Sequence, residues 1–157
     1  MDITFLEIGC DPNFNKTFLT YIETKCVNPI FEKLGIPCAR EVKIEGYTPL
    51  ILAALYGTAA TVQKLSEIPG INLDAATSDL YSPLWIAADQ GNMEMARSLV
   101  EAGANLEVSG GKYLTKPLGE AVLFGSVEMV EYLISKGAYI DSRSITESTP
   151  ANYAAFY

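Results

Sequence analysis

No histidine occurs in the 157 residues of the chain. Its absence removes Ser/His/Asp and Cys/His nucleophilic catalysis, the HExxH metal site and every mixed Cys/His zinc site. Cysteine is nearly as scarce. Cys10, Cys26 and Cys38 lie in the N-terminal third at spacings of 16 and 12, with no CxxC pair. An odd number without paired spacing reads as reduced thiols serving as small apolar residues in a cytosolic-type compartment. Positive charge is short as well, with 11 Lys and Arg against 19 Asp and Glu, a net charge of −8 and an isoelectric point near 4.5. The basic residues gather into no stripe, so a phosphate backbone is repelled and no nucleic-acid partner is expected. No apolar run reaches the ~18 residues of a membrane span, and residues 1–9 lack the basic start and small-residue cleavage site of a secretory signal. What is present is a globular composition. With 49% hydrophobic residues and a mean hydropathy of +0.17, the chain has material for one sizeable core and is not a disordered sequence.

An internal period organises that material. Pro49, Pro83, Pro117 and Pro150 are separated by 34, 34 and 33 residues. Gly57, Gly91 and Gly125 keep a spacing of 34, and Gly70, Gly103 and Gly137 follow at 33 and 34. Three phased series of the residues that punctuate secondary structure mark stacked units. Thr48-Pro49, Ser82-Pro83 and Thr149-Pro150 each offer a hydroxyl cap followed by proline at the first helical position, where a missing N–H costs nothing. Small residues follow in Ala53-Ala54, Ala87-Ala88 and Ala154-Ala155, allowing close approach of neighbouring helices. Gly57, Gly91 and Gly125 suit a left-handed residue ending this first helix. A second helix is predicted over residues 59–68, 93–102 and 127–136, the last with Val127, Val130, Leu133 and Ile134 as its apolar face.

Two short helices and a projecting turn every ~33 residues have the period and shape of the ankyrin repeat. Thr48-Pro49-Leu50, Ser82-Pro83-Leu84 with Ala87-Ala88, and Leu133-Ile134-Ser135-Lys136-Gly137-Ala138 strongly resemble that family across residues 46–157. The resemblance implies an all-α ankyrin-repeat solenoid with short turn connections. Residues 1–45 are expected to form partial and degenerate repeats, with repeat ends in Phe5-Leu6-Glu7-Ile8-Gly9 and Ile30-Phe31-Glu32-Lys33-Leu34-Gly35, and Asn28-Pro29 as a cap between them. Residues 46–157 are expected to carry the regular repeats, the last reaching only its first helix. The apolar Tyr153-Ala154-Ala155-Phe156-Tyr157 would then lack a covering helix, the expectation being a piece of a longer array or self-association through that helix.

The departures from the family pattern are local. Where the family carries histidine after Thr-Pro-Leu, this chain has Ile51, Trp85, Gly119 and Asn152. Trp85, the only tryptophan, is read as a filler for that histidine, not as a recognition anchor. Lys116 replaces the capping threonine, and Gly119 within the third first helix costs ~1 kcal/mol relative to alanine.

The resemblance implies a protein-binding module that uses its concave surface, namely the turn tips and the exposed ends of the first helices. Carried over position by position, it selects Tyr47, Leu55 and Tyr56 in the first regular unit and Asp79, Tyr81, Asp89 and Gln90 in the second. In the third it selects Lys112, Tyr113, Thr115, Leu123 and Phe124, while Ile145, Thr146 and Ser148 mark the last turn. The aromatic members suit a binding surface, since tyrosine buries area at little rotamer cost and keeps a polar tip. Glu45, Asp79 and Asp89 would rim it and favour a partner with apolar anchors and some basic residues.

Other chemistries find little footing. The best carboxylate pair, Asp89 with Glu120, reads as two solvated surface acids, not as a tuned acid and base. Gly110-Gly111-Lys112 has neither the spacing nor the setting of a phosphate loop and reads as a one-residue insertion in a turn. No catalytic residue, cofactor or metal is therefore expected. The alternative is an array that positions an enzyme or effector domain outside these residues. With its missing cap and helical glycine, the third regular unit is expected to be the softest complete one. Amide hydrogen exchange should be fastest there, and finding it the best-protected unit would refute the expectation.

Overall fold

The computed structural model describes residues 47–156, without the side chain of Phe156. The three cysteines, the N-terminal partial repeats, Glu45 and Tyr157 lie outside the described residues. Seven helices follow in order: α1 Pro49–Tyr56, α2 Ala59–Ser66, α3 Pro83–Asp89, α4 Met93–Glu101, α5 Pro117–Phe124, α6 Val127–Ser135 and α7 Pro150–Phe156. Among the described residues there is no strand, and an isolated β-bridge joins Gly110 to Thr115.

The predicted caps start the helices. Thr48 Oγ1 accepts the Ile51 N–H, Ser82 Oγ the Trp85 N–H and Thr149 Oγ1 the Asn152 N–H, each at 3.3 Å, with proline next in the chain. Lys116 precedes Pro117 without any side-chain cap bond. Thr58, Asn92 and Ser126 cap the second helices in the same way.

Gly91 and Gly125 end α3 and α5 with φ of 62° and 81°, and the next amides, of Asn92 and Ser126, reach back to the Ala87 and Ala121 carbonyls at 2.8 and 3.1 Å. Gly57 does not share this geometry, contrary to expectation. It is extended, with φ −91° and ψ −160°, and leads straight into the Thr58 cap of α2. A Cβ on Gly57 would lie 2.6 Å from the Ala53 carbonyl oxygen, so glycine is needed there for space and not for a left-handed turn.

The first helices α1, α3, α5 and α7 pack side by side in one layer, and α2, α4 and α6 pack behind them in a second. Ala53, Ala54, Ala87, Ala88 and Ala121 are buried in the first layer, where small side chains permit a close approach of neighbouring helices. Leu50, Leu84 and Leu118, one per repeat, and Leu65, Leu99 and Leu133 on the second helices complete a continuous core.

The apolar face expected for α6 needs correction. Val127 and Ile134 are 69% and 38% exposed, whereas Met129, Tyr132 and Leu133 are buried. The inward stripe is displaced around the helix towards Met129 and Tyr132, and the Arg97 guanidinium of α4 lies 4.8 Å from the Tyr132 ring centroid. The Tyr132 hydroxyl is buried without a hydrogen-bond partner, and burial holds that phenol above its ordinary pKa.

Carboxylates in the connections tie each repeat to the next. Asp74 Oδ1 accepts the Asn105 N–H at 2.8 Å, and Glu107 Oε1 accepts the Tyr139 N–H at 2.9 Å. Each carboxylate is set by an asparagine two residues earlier, Asn72 or Asn105, whose side-chain oxygen accepts the acidic residue's own N–H. Charge-assisted bonds of this kind are among the stronger ones available at a surface.

Gly119 sits in the middle of α5 with room to spare. A Cβ there would meet Thr115 Cβ and Tyr153 Cε2 at 3.7 Å, which is ordinary van der Waals contact. Gly119→Ala should therefore recover helix propensity and raise stability by up to about 1 kcal/mol, measured as a higher urea midpoint at unchanged slope.

Candidate functional site: turn tips and first-helix ends

The turns before α3, α5 and α7 are each closed by their own backbone. Thr77 N–H donates to the Tyr81 carbonyl at 3.2 Å, Gly110 N–H to Thr115 at 2.8 Å, and Ser144 N–H to Ser148 at 3.0 Å. Inside the turns Leu80, Leu114 and Glu147 occupy equivalent positions with φ of 65°, 51° and 58°. Non-glycine residues in the left-handed region cost about 1 kcal/mol or more each, so the turns hold side chains where backbone geometry alone favours glycine. The third and fourth turns are joined directly, since Ile145 N–H donates to the Tyr113 carbonyl at 2.9 Å.

The residues selected from the sequence fall into two rows. One lies on the turns and the other at the C-terminal ends of the first helices. On the turns, Tyr47 and Tyr81 are half-buried and packed against the core, while Asp79, Lys112 and Tyr113 are exposed. Tyr81 lies 4.7 Å from Trp85, centroid to centroid, at an interplanar angle of 39°. The Lys112 ammonium lies 5.5 Å from the Tyr113 ring centroid. At the helix ends, Leu55 and Leu123 are half-buried, while Tyr56, Asp89, Gln90 and Phe124 are exposed. Gln90 Nε2 donates to the Ala54 carbonyl of the preceding repeat at 3.3 Å. The Phe124 ring covers Gly91 so closely that a Cβ there would fall 2.1 Å from Phe124 Cε1. The largest free aromatic surfaces in the two rows are thus Tyr56, Tyr113 and Phe124, at 59%, 52% and 55% exposure. Ile145, Tyr139 and Ile140 add exposed apolar surface towards the fourth turn.

Thr115, expected from the family pattern to face a partner, is instead only 3% exposed and belongs to a buried polar chain that the sequence did not reveal. Trp85 is 9% exposed, and its indole N–H donates to Thr115 Oγ1 at 3.2 Å. Thr115 in turn donates to Glu120 Oε1, with the Gly110 carbonyl oxygen as a second acceptor 3.4 Å from the same hydroxyl. Trp85 accordingly fills the inner end of the turn, consistent with its reading as a filler. Glu120, read from the sequence as a solvated acid, is buried and only 9% exposed; Asp89 is the exposed member of that pair. Burial raises the Glu120 carboxyl above its ordinary pKa, the Thr115 hydrogen bond opposes this, and the Asp89 charge adds to the rise. The missed signal was the pair Thr115 and Glu120, one residue before the vacant cap position and one after the helical glycine. Gly110 and Gly111 also gain a reason. A Cβ on Gly110 would lie 2.5 Å from Trp85 Cδ1, and Gly111 has a φ of 68°. Among the described residues no group of acidic, cysteine or histidine side chains could hold a metal ion, and no helix is long and apolar enough to cross a membrane.

Paired short helices in two layers, with one turn per unit projecting beside the first helix, define a helical repeat array. The family model for ankyrin repeats (3 copies) matches residues 4–110 and 70–144, and the chain belongs to that family. Ankyrin repeats generally mediate protein–protein interaction and are typically non-catalytic. A segment of 76 residues, 48% of the chain, is 29% identical to alpha-latrocrustotoxin-Lt1a of Latrodectus tredecimguttatus. That segment corresponds to 5% of the toxin, so the chain spans a small part of this relative's length.

The Gly110–Trp85 contact makes a direct prediction. Gly110→Ala should destabilise the chain by about 1–3 kcal/mol, the usual range for forcing an extra methyl into a packed site, and should expose Trp85 to iodide quenching. Unchanged stability and quenching would place the ring elsewhere.

Proposed function

We propose that the chain is a non-catalytic protein-interaction module whose partner lies across the turn tips and first-helix ends. The observation that carries this reading is the set of exposed rings, Tyr56 in the first regular repeat and Tyr113 and Phe124 in the third, all on the first-helix side of the array. Rigid aromatic surface on backbone anchored by a packed core favours binding because little freedom is lost on association. Tyr47, Leu55, Tyr81 and Leu123 supply the half-buried floor, while Asp79, Asp89, Gln90 and Lys112 supply the polar margin. The acidic balance of the chain favours a partner with some basic residues around apolar anchors. A scaffold role in the cytosol belongs to the same reading, supported by the unpaired cysteine spacing.

A second reading, an array that positions a domain of a larger protein, draws support from the relative in which the similar segment is 5% of the whole. It relocates any activity without changing the contact face. Self-association through α7 is a further outcome, visible as concentration-dependent mass.

The test is affinity capture with the wild-type chain and with a Tyr56→Ala/Tyr113→Ala variant verified as folded. Both side chains are more than half exposed, so their loss leaves the core intact. A partner held through these rings should bind the variant about tenfold or more weakly. Equal retention of every captured protein would remove this face from the interaction.

A further inference from the structure

The Thr115 hydroxyl has one proton and two acceptors within reach, the Glu120 carboxylate and the Gly110 carbonyl. It also receives the Trp85 indole N–H. We propose that Thr115 is a proton-operated latch on the third turn: ionised Glu120 draws the threonine proton to itself, whereas protonated Glu120 donates to Thr115 Oγ1 and turns the threonine proton onto the Gly110 carbonyl. One proton passes from solvent to Glu120, no covalent bond other than that O–H changes, and the Trp85 bond persists in both states. In the protonated state Thr115 accepts twice and donates once, filling the whole capacity of a hydroxyl. Its donation then reinforces the Gly110–Thr115 bridge, where the Gly110 N–H already bonds the Thr115 carbonyl at 2.8 Å. In the ionised state one lone pair of Thr115 and the Gly110 carbonyl lose those partners.

The surroundings favour the proton. Glu120 is buried, and Asp89 from α3 is the neighbouring charge that opposes its ionisation. The turn contributes Lys112, placed over Tyr113, and Lys116, whose ammonium donates to Ser109 Oγ. The titratable residues of the other two helices packed on α5 are Tyr153 on α7 and Glu128, Glu131 and Tyr132 on α6, of which Glu128 pairs with Arg97. Because the folded carboxyl titrates above its unfolded value, the cost of ionising Glu120 is absent below the unfolded pKa. It grows as pH rises through that value and is fully present above the folded one. The latch therefore closes towards acid. Its reach extends beyond one repeat, since the turn it grips carries Tyr113, whose carbonyl holds Ile145 of the next turn.

The latch is a property of the chain alone and is independent of the binding reading. Trp85 is the only tryptophan, so its indole N–H gives a single assigned resonance in the full chain. Its chemical shift, followed from neutral to acid pH while circular dichroism reports an intact fold, should pass through one inflection above the ordinary carboxylate range. Glu120→Gln should abolish the inflection and hold the resonance near its acid-limb position. Asp89→Asn, at an exposed site outside the hydrogen-bonded chain, should move the inflection to lower pH by removing the like charge. A flat wild-type titration, an inflection that survives in folded Glu120→Gln, or an unmoved midpoint in Asp89→Asn would each overturn the proposal.

Discussion

The first helices α1, α3 and α5 pack side by side, and Ala53, Ala54, Ala87, Ala88 and Ala121 are buried along them. Their small side chains permit a close approach of successive repeats, and much of the remaining structure depends on that distance. It lets Gln90 reach the Ala54 carbonyl, and it brings the Phe124 ring down onto Gly91. It also places Trp85 of one repeat within hydrogen-bonding distance of Thr115 in the next. A larger side chain at any of these alanines would have to displace its neighbours, because a close-packed interior offers no compensating space.

The period of the array was legible because it is written in proline and glycine, whose backbone demands are independent of neighbours. Pro49, Pro83, Pro117 and Pro150 begin first helices as their spacing requires, and the second helices start at Ala59, Met93 and Val127 where the sequence places them. Residue type was a poorer guide where the demand is tertiary. Gly57 has the same spacing as Gly91 and Gly125 but a different conformation, because the first connection enters the Thr58 cap without the left-handed step. Val127 and Ile134 fit an apolar stripe on paper, yet the stripe that is buried follows Met129 and Tyr132.

The candidate site was legible as a set of positions and less so as a set of environments. The family pattern selects turn and helix-end residues, but exposure depends on what a neighbour brings. Tyr81 is partly covered by Trp85, whereas Tyr113, one turn further on, stands free. Glu120 illustrates the same limit. A glutamate in a first helix reads as solvated until the preceding turn supplies a hydroxyl to meet it. The histidine that the family places on this layer is absent here, and a tryptophan, a threonine and a glutamate form the hydrogen-bonded chain that runs through Trp85, at one of the vacated positions.

The bonds from Asp74 to the Asn105 amide and from Glu107 to the Tyr139 amide always run forward, from a carboxylate to the backbone of the following unit. A main-chain N–H is common to nearly every residue, so the donor is recognised by its place and not by its side chain. The donating position is asparagine in one unit and tyrosine in the next, and the same bond forms at both. An array joined in this way has a direction. Where the donating residue is Asn105, its side chain also sets the Glu107 carboxylate that makes the next joint, so one joint prepares the following one.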